Sequence, residues 1–315
     1  MYRIECEGYA VLFSDKSIAK VFGDARSVVA LGNFDGVHIA HRELISRAIN
    51  MKNNDGEKLV GAWTFSKNPL EYFVKNPPKA ICSPEKKAEI LISCGLDFVV
   101  LADFGIYKDM SHVDFCRYLK EDIGAESVVC GYNFRFGRGG MGDPEYLTEQ
   151  FGKNNTSVVS EVDHDGQPVS STRIRGLIES GNIEKANLLL GRSFSIVGEV
   201  VHGKKLGRNL GFPTANQLFP DGNIIPKNGI YATRCLIDGM AYIGVTNVGI
   251  RPTVEESKTV NAETYILDFE GDIYGRKIET EFIKYLRDET KFSSLDELKN
   301  AILHDAEAAR NIVKP

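Results

Sequence analysis

The feature that most constrains the fold is an alternation of short apolar runs with longer helical patterns between residues 27 and 131. The runs SVVALG, KLVGAWTF, DFVVLADF and ESVVCG read as buried strands, and amphipathic segments such as HRELISRAINMKN and SPEKKAEILISCG separate them. In the second segment Ser83 is the predicted N-cap, Pro84 lies in the first turn and Gly95 ends the helix. Strand–helix–strand alternation of this kind predicts a parallel sheet with helices on both faces.

The pattern of apolar and turn-forming residues changes after Gly191. Residues 173–190 predict two short helices broken at Gly181, and short strand-like runs punctuated by glycine, asparagine and aspartate follow them. This pattern predicts a small antiparallel β-barrel. A capping box at residues 294–297 then opens a terminal helix whose Leu295, Leu298, Ile302 and Ala306 are expected to face the barrel. We therefore expect two domains, 1–190 and 191–315.

Charge and composition exclude several classes of protein. The net charge is −5, which argues against a protein that coats nucleic acid, and no recognition-helix motif or basic stripe is present. No stretch approaches the roughly 20 apolar residues of a membrane span, and MYRIECEGYA contains no signal-peptide segment. The six cysteines form no CxxC pair and are expected to be reduced. We expect a cytoplasmic protein that binds neither nucleic acid nor a membrane.

The first candidate site is the loop GNFDGVHIAH, residues 32–41, between a predicted strand and a predicted helix. Backbone N–H groups and the helix dipole at such a junction favour phosphate, and His38 and His41 would hydrogen-bond phosphate oxygens. Two alternatives stay open. In the first, one histidine is a surface residue and the other hydrogen-bonds a backbone carbonyl. In the second, both bind zinc, although no cysteine or third histidine lies nearby to complete the ligand set.

A second segment, VSSTRIR at residues 169–175, opens a predicted helix that Ser170, Ser171 and Thr172 can cap while they contact phosphate, and Arg173 or Arg175 supplies positive charge. The alternative is an ordinary N-cap followed by solvated arginines. Together the HxxH and SSTxxR segments resemble the nucleotidylyltransferase superfamily, whose members transfer NMP from an NTP and release pyrophosphate. The resemblance implies that both segments bind the triphosphate of the NTP and that the N-terminal domain is Rossmann-like.

The motifs GNFDGVH, GYNFRFG and VSSTRIR, in this order, resemble the FMN adenylyltransferase domain of the bifunctional bacterial riboflavin kinase/FAD synthetases. The resemblance implies an ATP and flavin site that contains, besides His38, His41 and Arg175, the residues Gly32, Asn33, Phe34, Asp35, Gly36, Asn133, Ser171 and Thr172. The sequence departs from the family at Ala40, where glycine is usual, and at Ser66, Lys67 and Asn68, where an acidic residue, proline and histidine are usual.

The second candidate site is GRNLGFPTANQ, residues 207–217. Thr214 and Asn216 lie two apart, so that an extended backbone places both on one side. A hydroxyl and an amide oxygen suit Mg²⁺ that also keeps ATP phosphates, and Gly207 and Gly211 permit close approach of phosphate to the backbone. The alternative is a turn between two barrel strands.

Further motifs, TNVGIRPTV, NAETYILDF and LRDETKF, make residues 191–315 resemble riboflavin kinase. The resemblance implies that Glu263 is the general base for the ribityl 5′-hydroxyl and that Arg287 orients the flavin. It also implies an ATP and flavin site containing Gly203, Lys204, Gly207, Gly211, Phe212 and Pro213, with Thr214 and Asn216 as metal ligands. The alternatives are an exposed strand residue for Glu263 and a surface ion pair with Asp288 or Glu289 for Arg287.

These resemblances imply a bifunctional enzyme of FAD biosynthesis. The barrel would phosphorylate riboflavin to FMN with ATP and Mg²⁺, and the α/β domain would adenylylate FMN to FAD, so that riboflavin, FMN, FAD and ATP are its ligands. Flavin would be substrate and product. Two alternatives are a riboflavin kinase whose adenylyltransferase domain is weak or inactive, suggested by Ala40, Ser66 and Asn68, and a flavin- or nucleotide-binding regulator without turnover.

Overall fold

The computed structural model describes residues 3–6, 9–13, 25–53, 58–203, 211–251 and 259–314. The chain divides into two compact units, Met1–Ser170 and Ser171–Pro315. The division lies before two helices that the sequence analysis placed ahead of its boundary at Gly191. Each unit has cores of its own.

The first unit is built on a seven-stranded sheet in the order β1-β2-β5-β4-β3-β6-β7 among the described residues. The β1–β2 pair is antiparallel, and the other neighbours run parallel. The expected parallel sheet is confirmed, whereas the antiparallel edge pair was not expected. The strands are β1 (Arg3–Cys6), β2 (Tyr9–Phe13), β3 (Ser27–Leu31), β4 (Leu59–Phe65), β5 (Phe98–Ala102), β6 (Ala125–Gly131) and β7 (Thr156–Val159), and a separate hairpin pairs β8 (Asp163–His164) with β9 (Gln167–Pro168).

Helices cover the sheet and contribute to two apolar clusters. Strands β3 and β5 are buried along their whole length, because both faces of a parallel sheet are covered. Ser83 caps its helix by accepting a hydrogen bond from the Lys86 amide, and Pro84 follows at the first helical position, as predicted. The helices are α1 (Ile39–Asn53), α2 (Pro84–Ser93), α3 (Phe104–Tyr107), α4 (His112–Glu121) and α5 (Pro144–Phe151), with 3₁₀ turns at Pro69–Tyr72, Arg138–Gly140 and Lys153–Asn155.

The order of the strands positions the first candidate site. Strand β3 pairs with β6 on one side and with β4 on the other, all in parallel. The loops that follow these strands therefore leave the same edge of the sheet, where ligands of open α/β sheets bind. The expectation that residues 32–41 and the segment after Gly131 leave neighbouring strands is confirmed.

The second unit contains a closed antiparallel barrel in the order β10-β11-β14-β13-β12-β15. Pairing of β10 with β15, from Phe194–Phe282 to Glu199–Lys277, closes the ring. Threonine hydroxyls inside the barrel satisfy one another, since Thr246 lies 2.8 Å from both Thr233 and Thr264. The strands are β10 (Phe194–Val201), β11 (Thr214–Leu218), β12 (Gly229–Ile237), β13 (Met240–Arg251), β14 (Thr259–Ile266) and β15 (Lys277–Arg287).

The described residues of this unit form three helices: α6 (Ser171–Glu179), α7 (Ile183–Leu190) and α8 (Leu295–Ile312). The predicted break at Gly181 is present. Asn187 joins α7 to the barrel, because its amide donates to the Phe282 carbonyl at 2.8 Å and accepts from the Phe194 amide at 2.7 Å. These bonds explain why the compact unit begins before Gly191.

The terminal helix α8 follows its prediction with one exception. Ser294 caps the helix, and Ala306 is buried against the barrel. Leu295 was expected to face the barrel and is 58% exposed, so that part of the prediction is wrong. It is the first residue of the helix, and the buried stripe begins one turn later.

The described cysteines Cys82, Cys94, Cys116, Cys130 and Cys235 are free thiols. In the part of the chain that the structure describes, no helix combines the length and the apolar character needed to cross a membrane.

Candidate active sites

The histidine loop after β3 has an unusual backbone. Phe34 and Val37 adopt positive φ angles of 48° and 41°, and Gly36 has a φ of 77°. A Cβ at Gly36 would lie 2.9 Å from Ile81 Cδ1, so both conformation and space require glycine there. Phe34 and Val37 are fully buried, and this burial holds the strained turn in place.

Side-chain hydrogen bonds anchor the same loop. The buried Asp35 accepts from the Ile81 amide at 2.8 Å, so this predicted ligand residue also fixes the loop to the chain before α2. The Thr64 hydroxyl at the end of β4 donates to the Asn33 carbonyl at 2.9 Å. The loop is therefore pre-organised by its own fold, as an anion site of backbone N–H groups requires.

The two histidines form a stacked pair. Their ring centroids are 3.6 Å apart with an interplanar angle of 13°, and the Phe34 ring lies 5.1 Å from that of His41. Burial, followed by the neighbouring His38 and Lys87, lowers the pKa of His41 well below its ordinary value. The buried Nδ1 atom of His41 has no hydrogen-bond partner among the described residues. His41 is therefore a neutral imidazole at pH 7 whose buried Nδ1 is unpaired among the described residues.

Lys87 was missed by the sequence analysis. This buried residue of α2 donates from Nζ to the carbonyls of Phe65, at 2.6 Å, and Asn33, at 3.2 Å. Burial lowers the pKa of Lys87, while Cys82 and Asp35 raise it. The ammonium group joins the end of β4 to the histidine loop and places positive charge beside His41.

The remaining residues predicted for the first site are distributed over both units. Gly32 and the exposed Asn133 follow strands β3 and β6 in the first unit. Ser171 and Thr172 open α6 in the second unit, where the Arg175 guanidinium donates to the Thr172 hydroxyl at 3.2 Å. The predicted helix start is confirmed, and a shared triphosphate site of both segments stays a prediction.

The second candidate site is a cavity of about 290 Å³ on the barrel. Four predicted residues line it: Phe212, Thr214, Glu263 and Arg287. Helix α8 supplies part of the wall through Leu298, Ile302 and Asp305, and further lining residues not singled out from the sequence include Asn247, Glu289 and Phe292.

Polar side chains on three neighbouring strands lie at or beside this cavity. Thr214, Asn247 and Glu263 line it, whereas the predicted ligand Asn216 is 2% exposed and is not one of its lining residues. Asn216 on β11 and Asn247 on β13 are the cross-strand neighbours of Glu263 on β14. Thr214 shares a face of β11 with Asn216, as predicted from their spacing. Glu263 lines the cavity, so the alternative of an ordinary exposed strand residue does not hold.

The donor set fits a hard cation held mainly by a nucleotide. The described residues contain no cluster of three or more histidine, cysteine, aspartate or glutamate side chains that could hold a metal. A hydroxyl and an amide oxygen supply only part of an octahedral shell, which ATP phosphates and waters would complete.

The glycine-rich segment before β11 is described in part. Gly203 lies behind the Asn216 side chain, and a Cβ there would be 2.5 Å from Asn216 Nδ2. Gly211 has a φ of 88°, and Phe212 contacts the Tyr265 ring at 5.3 Å. Pro213 is exposed, and Lys204 and Gly207 lie outside the described residues.

Arg287 has a different partner from those considered in the sequence. Its Nε and Nη2 atoms donate to the two carboxylate oxygens of Asp305, at 3.0 and 2.7 Å, instead of pairing with the carboxylates of Asp288 or Glu289. Asp305 is 4% exposed and lies on α8. The bidentate pair fixes Arg287 at the cavity wall and ties the terminal helix to β15.

Comparisons with known proteins agree with this arrangement. The FAD synthetase family profile matches residues 23–173, and the riboflavin kinase profile matches residues 190–313. A Bacillus subtilis bifunctional riboflavin kinase/FMN adenylyltransferase is 32% identical over 90% of this chain and 92% of its own length. A Pseudomonas fluorescens protein of the same name is 35% identical over 91% and 93%.

A solved structure supports the fold over the whole chain. The crystal structure of a protein described as a macrolide-efflux protein from Streptococcus pneumoniae aligns with a TM-score of 0.86 and 30% identity. The alignment covers 96% of this chain and 99% of that one. From the curated relatives and the two family profiles, the chain belongs to the family of bifunctional riboflavin kinase/FMN adenylyltransferases.

Proposed function

We propose that this chain makes FAD from riboflavin in two steps, with residues 191–315 as the kinase and residues 1–190 as the adenylyltransferase. Riboflavin and ATP give FMN and ADP at the barrel cavity. FMN and a second ATP then give FAD and pyrophosphate at the histidine loop. The observation that carries the proposal is the cavity in which Glu263, Thr214 and the Arg287–Asp305 pair converge.

In the first step Glu263 accepts the proton of the ribityl 5′-hydroxyl while that oxygen attacks the γ-phosphorus of ATP. The bond from the γ-phosphorus to the bridging oxygen breaks, and ADP leaves. Thr214 and Asn216 would hold Mg²⁺ together with the ATP phosphates, and the ion would supply neutralisation of the phosphate charge. Arg287, fixed by Asp305, orients the flavin, and Phe212 supplies an apolar surface beside it.

Backbone groups near Gly203, Lys204, Gly207, Gly211 and Pro213 approach the ATP phosphates in this proposal. Support comes from Gly203, where a side chain would displace Asn216, and from the left-handed conformation of Gly211.

In the second step a phosphate oxygen of FMN attacks the α-phosphorus of ATP, and the bond to the pyrophosphate oxygen breaks. The reaction needs positioning and charge neutralisation instead of a covalent enzyme intermediate. His41 contributes a neutral imidazole beside the buried Lys87 charge. His38, Asn133, Ser171, Thr172 and Arg175 are the further groups that we assign to ATP or flavin, with the loop residues Gly32, Asn33, Phe34, Asp35 and Gly36.

The cytoplasm is the proposed location. The free thiols of the described cysteines support it, because reduced cysteines are typical of that compartment.

Two substitutions separate the half-reactions. Glu263→Gln is expected to abolish FMN formation and to leave the conversion of FMN to FAD intact. His41→Ala is expected to do the reverse. The controls are Glu270→Gln and His304→Ala, which change exposed side chains outside both sites.

Each half-reaction is followed by chromatographic separation of riboflavin, FMN and FAD, starting from riboflavin or from FMN. Loss of both activities in the Glu263 variant would contradict two separate sites. Unchanged FAD formation in the His41 variant would refute the assignment of the histidine loop.

A further inference from the structure

Asn261 is a buried amide behind the barrel cavity, in contact with two residues assigned to the kinase site, and it was not predicted from the sequence. The residue is 4% exposed and lies on β14, two positions before Glu263. Its Nδ2 atom donates to Asn216 Oδ1 at 3.0 Å and to Glu263 Oε1 at 3.4 Å. One amide group therefore contacts both the predicted metal ligand and the predicted base.

The first of these bonds decides which end of the Asn216 amide faces the site. A side-chain amide has an acceptor oxygen and a donor nitrogen, and only the oxygen can bind a cation. Because Asn261 donates to Oδ1, the Asn216 amide is held in one of its two orientations. An amide oxygen has two lone pairs, so one remains for a metal ion.

The second bond orients the base. Strand pairing places Asn216 and Glu263 directly opposite each other, and Asn261 shares the face of Glu263 because residues two apart on a strand point the same way. Donation to Oε1 restricts rotation of the Glu263 carboxylate and leaves Oε2 to receive the proton of the substrate hydroxyl.

We propose that Asn261 is a positioning residue for riboflavin phosphorylation, which holds the Asn216 amide oxygen toward the nucleotide-bound cation and the Glu263 carboxylate toward the substrate hydroxyl. This inference rests on the proposed roles of Asn216 and Glu263. Removal of a residue that hydrogen-bonds a metal ligand typically lowers metal affinity or activity 10- to 100-fold, and a loss of similar size is expected here.

The test uses Asn261→Leu, which has a similar volume and cannot donate, and Asn261→Ser, whose short hydroxyl cannot reach both partners. The matched control is Gln217→Leu. Gln217 is also a buried barrel amide, next to Asn216 in sequence, but it donates to the Gly198 and Ile278 carbonyls on the opposite face of β11.

Four quantities are measured on the full chain: kcat, the riboflavin KM, the Mg²⁺ concentration that gives half-maximal rate, and the rise in Tm that Mg²⁺ adds in the presence of ADP. Both Asn261 variants are expected to lose kcat by about tenfold or more and to need about tenfold more Mg²⁺, with riboflavin KM unchanged. The Mg²⁺-dependent rise in Tm should shrink. Conversion of FMN to FAD should persist, and a cooperative unfolding transition in the Tm measurement without Mg²⁺ shows that the barrel is folded.

The Gln217 control should lower Tm without changing the Mg²⁺ dependence. In an Asn216→Ala background, Asn261→Leu should cause a smaller loss than in the wild type, because only the contact with Glu263 then remains to be removed. If both Asn261 variants behave like the Gln217 control, the inference is wrong. If Glu263→Gln and Asn216→Ala keep wild-type kinase activity, the assignment of the kinase residues fails. If the wild-type chain forms no FMN, the proposed function itself fails, and these outcomes are distinguishable from failure of the Asn261 inference.

Discussion

Replacement of Gly203 by alanine tests the geometry of the kinase site through a single methyl group. The new Cβ would lie 2.5 Å from Asn216 Nδ2, 2.9 Å from Cγ and 3.0 Å from Oδ1. Ordinary contacts of a Cβ begin near 3.4 Å, so the Asn216 amide must move by about 1 Å. Gly203 does not have a positive φ, and the backbone itself accepts alanine.

The displacement should separate Asn216 from both the cation and Asn261. Misplacement by about 1 Å in an active site costs on the order of 100-fold in rate, and we expect a loss of that size in riboflavin phosphorylation. Breaking the buried bond to Asn261 should also lower the free energy of unfolding by about 1–3 kcal/mol.

The assay measures initial rates of FMN formation from riboflavin and ATP as a function of Mg²⁺. Conversion of FMN to FAD serves as the internal control and should be unchanged. Gly198→Ala is the matched variant on β10, where the nearest atom to a new Cβ is the Leu218 carbonyl oxygen at 3.4 Å. A Gly203→Ala protein with the kinetics and Mg²⁺ dependence of the Gly198→Ala control would refute the assignment of Asn216 as a ligand.

Three further predictions concern other parts of the chain. Lys87→Met should reduce FAD formation by about tenfold or more with FMN formation intact, because the ammonium that fixes the histidine loop is lost; equal FAD yields would contradict this role. Because the pKa of His41 is lowered in the folded protein, the unfolded chain binds more protons below pH 6.5. The free energy of unfolding, measured by urea denaturation, should therefore fall more steeply with decreasing pH in the wild type than in His41→Gln. Parallel pH profiles of the two proteins would contradict the burial argument. Asp305→Asn should lower the free energy of unfolding by about 2 kcal/mol and raise the riboflavin KM, and an unchanged KM would show that Arg287 does not orient the flavin.

The sequence predicted those parts of the fold in which local chemistry decides the outcome. Strands such as Ser27–Leu31 are nearly continuous apolar runs. The Ser83 cap follows from local spacing, because its hydroxyl lies three residues before the Lys86 backbone amide, which has no partner within the helix. The pattern of short strand-like runs predicted the barrel, and the likeness of the motifs to a known family identified four residues that line its cavity: Phe212, Thr214, Glu263 and Arg287. The prediction that Thr214 and Asn216 share one face of a strand required only the two-residue period of extended backbone.

The residues that were missed act through contacts between distant segments. Lys87 lies 54 positions from Asn33, and a lysine on an amphipathic helix gives no local sign that it is buried. Asp305 was not recognised because Arg287 has closer carboxylates in sequence, Asp288 and Glu289. Asn261 looks like any polar strand residue until the register places it beside Asn216.

The prediction for Leu295 was wrong for a related reason. Helical period alone places it in line with Leu298 and Ile302, but the first turn of α8 extends beyond the surface that the barrel covers. The helical period identifies which residues of α8 share a face, but it does not indicate how much of that face the barrel covers.

The central claim is tested most directly by incubating the purified chain with riboflavin, ATP and Mg²⁺ and resolving the flavins by chromatography over time. We expect FMN to appear first and FAD to follow, with release of pyrophosphate. FMN without FAD would contradict the bifunctional assignment, and the absence of FMN would contradict the kinase.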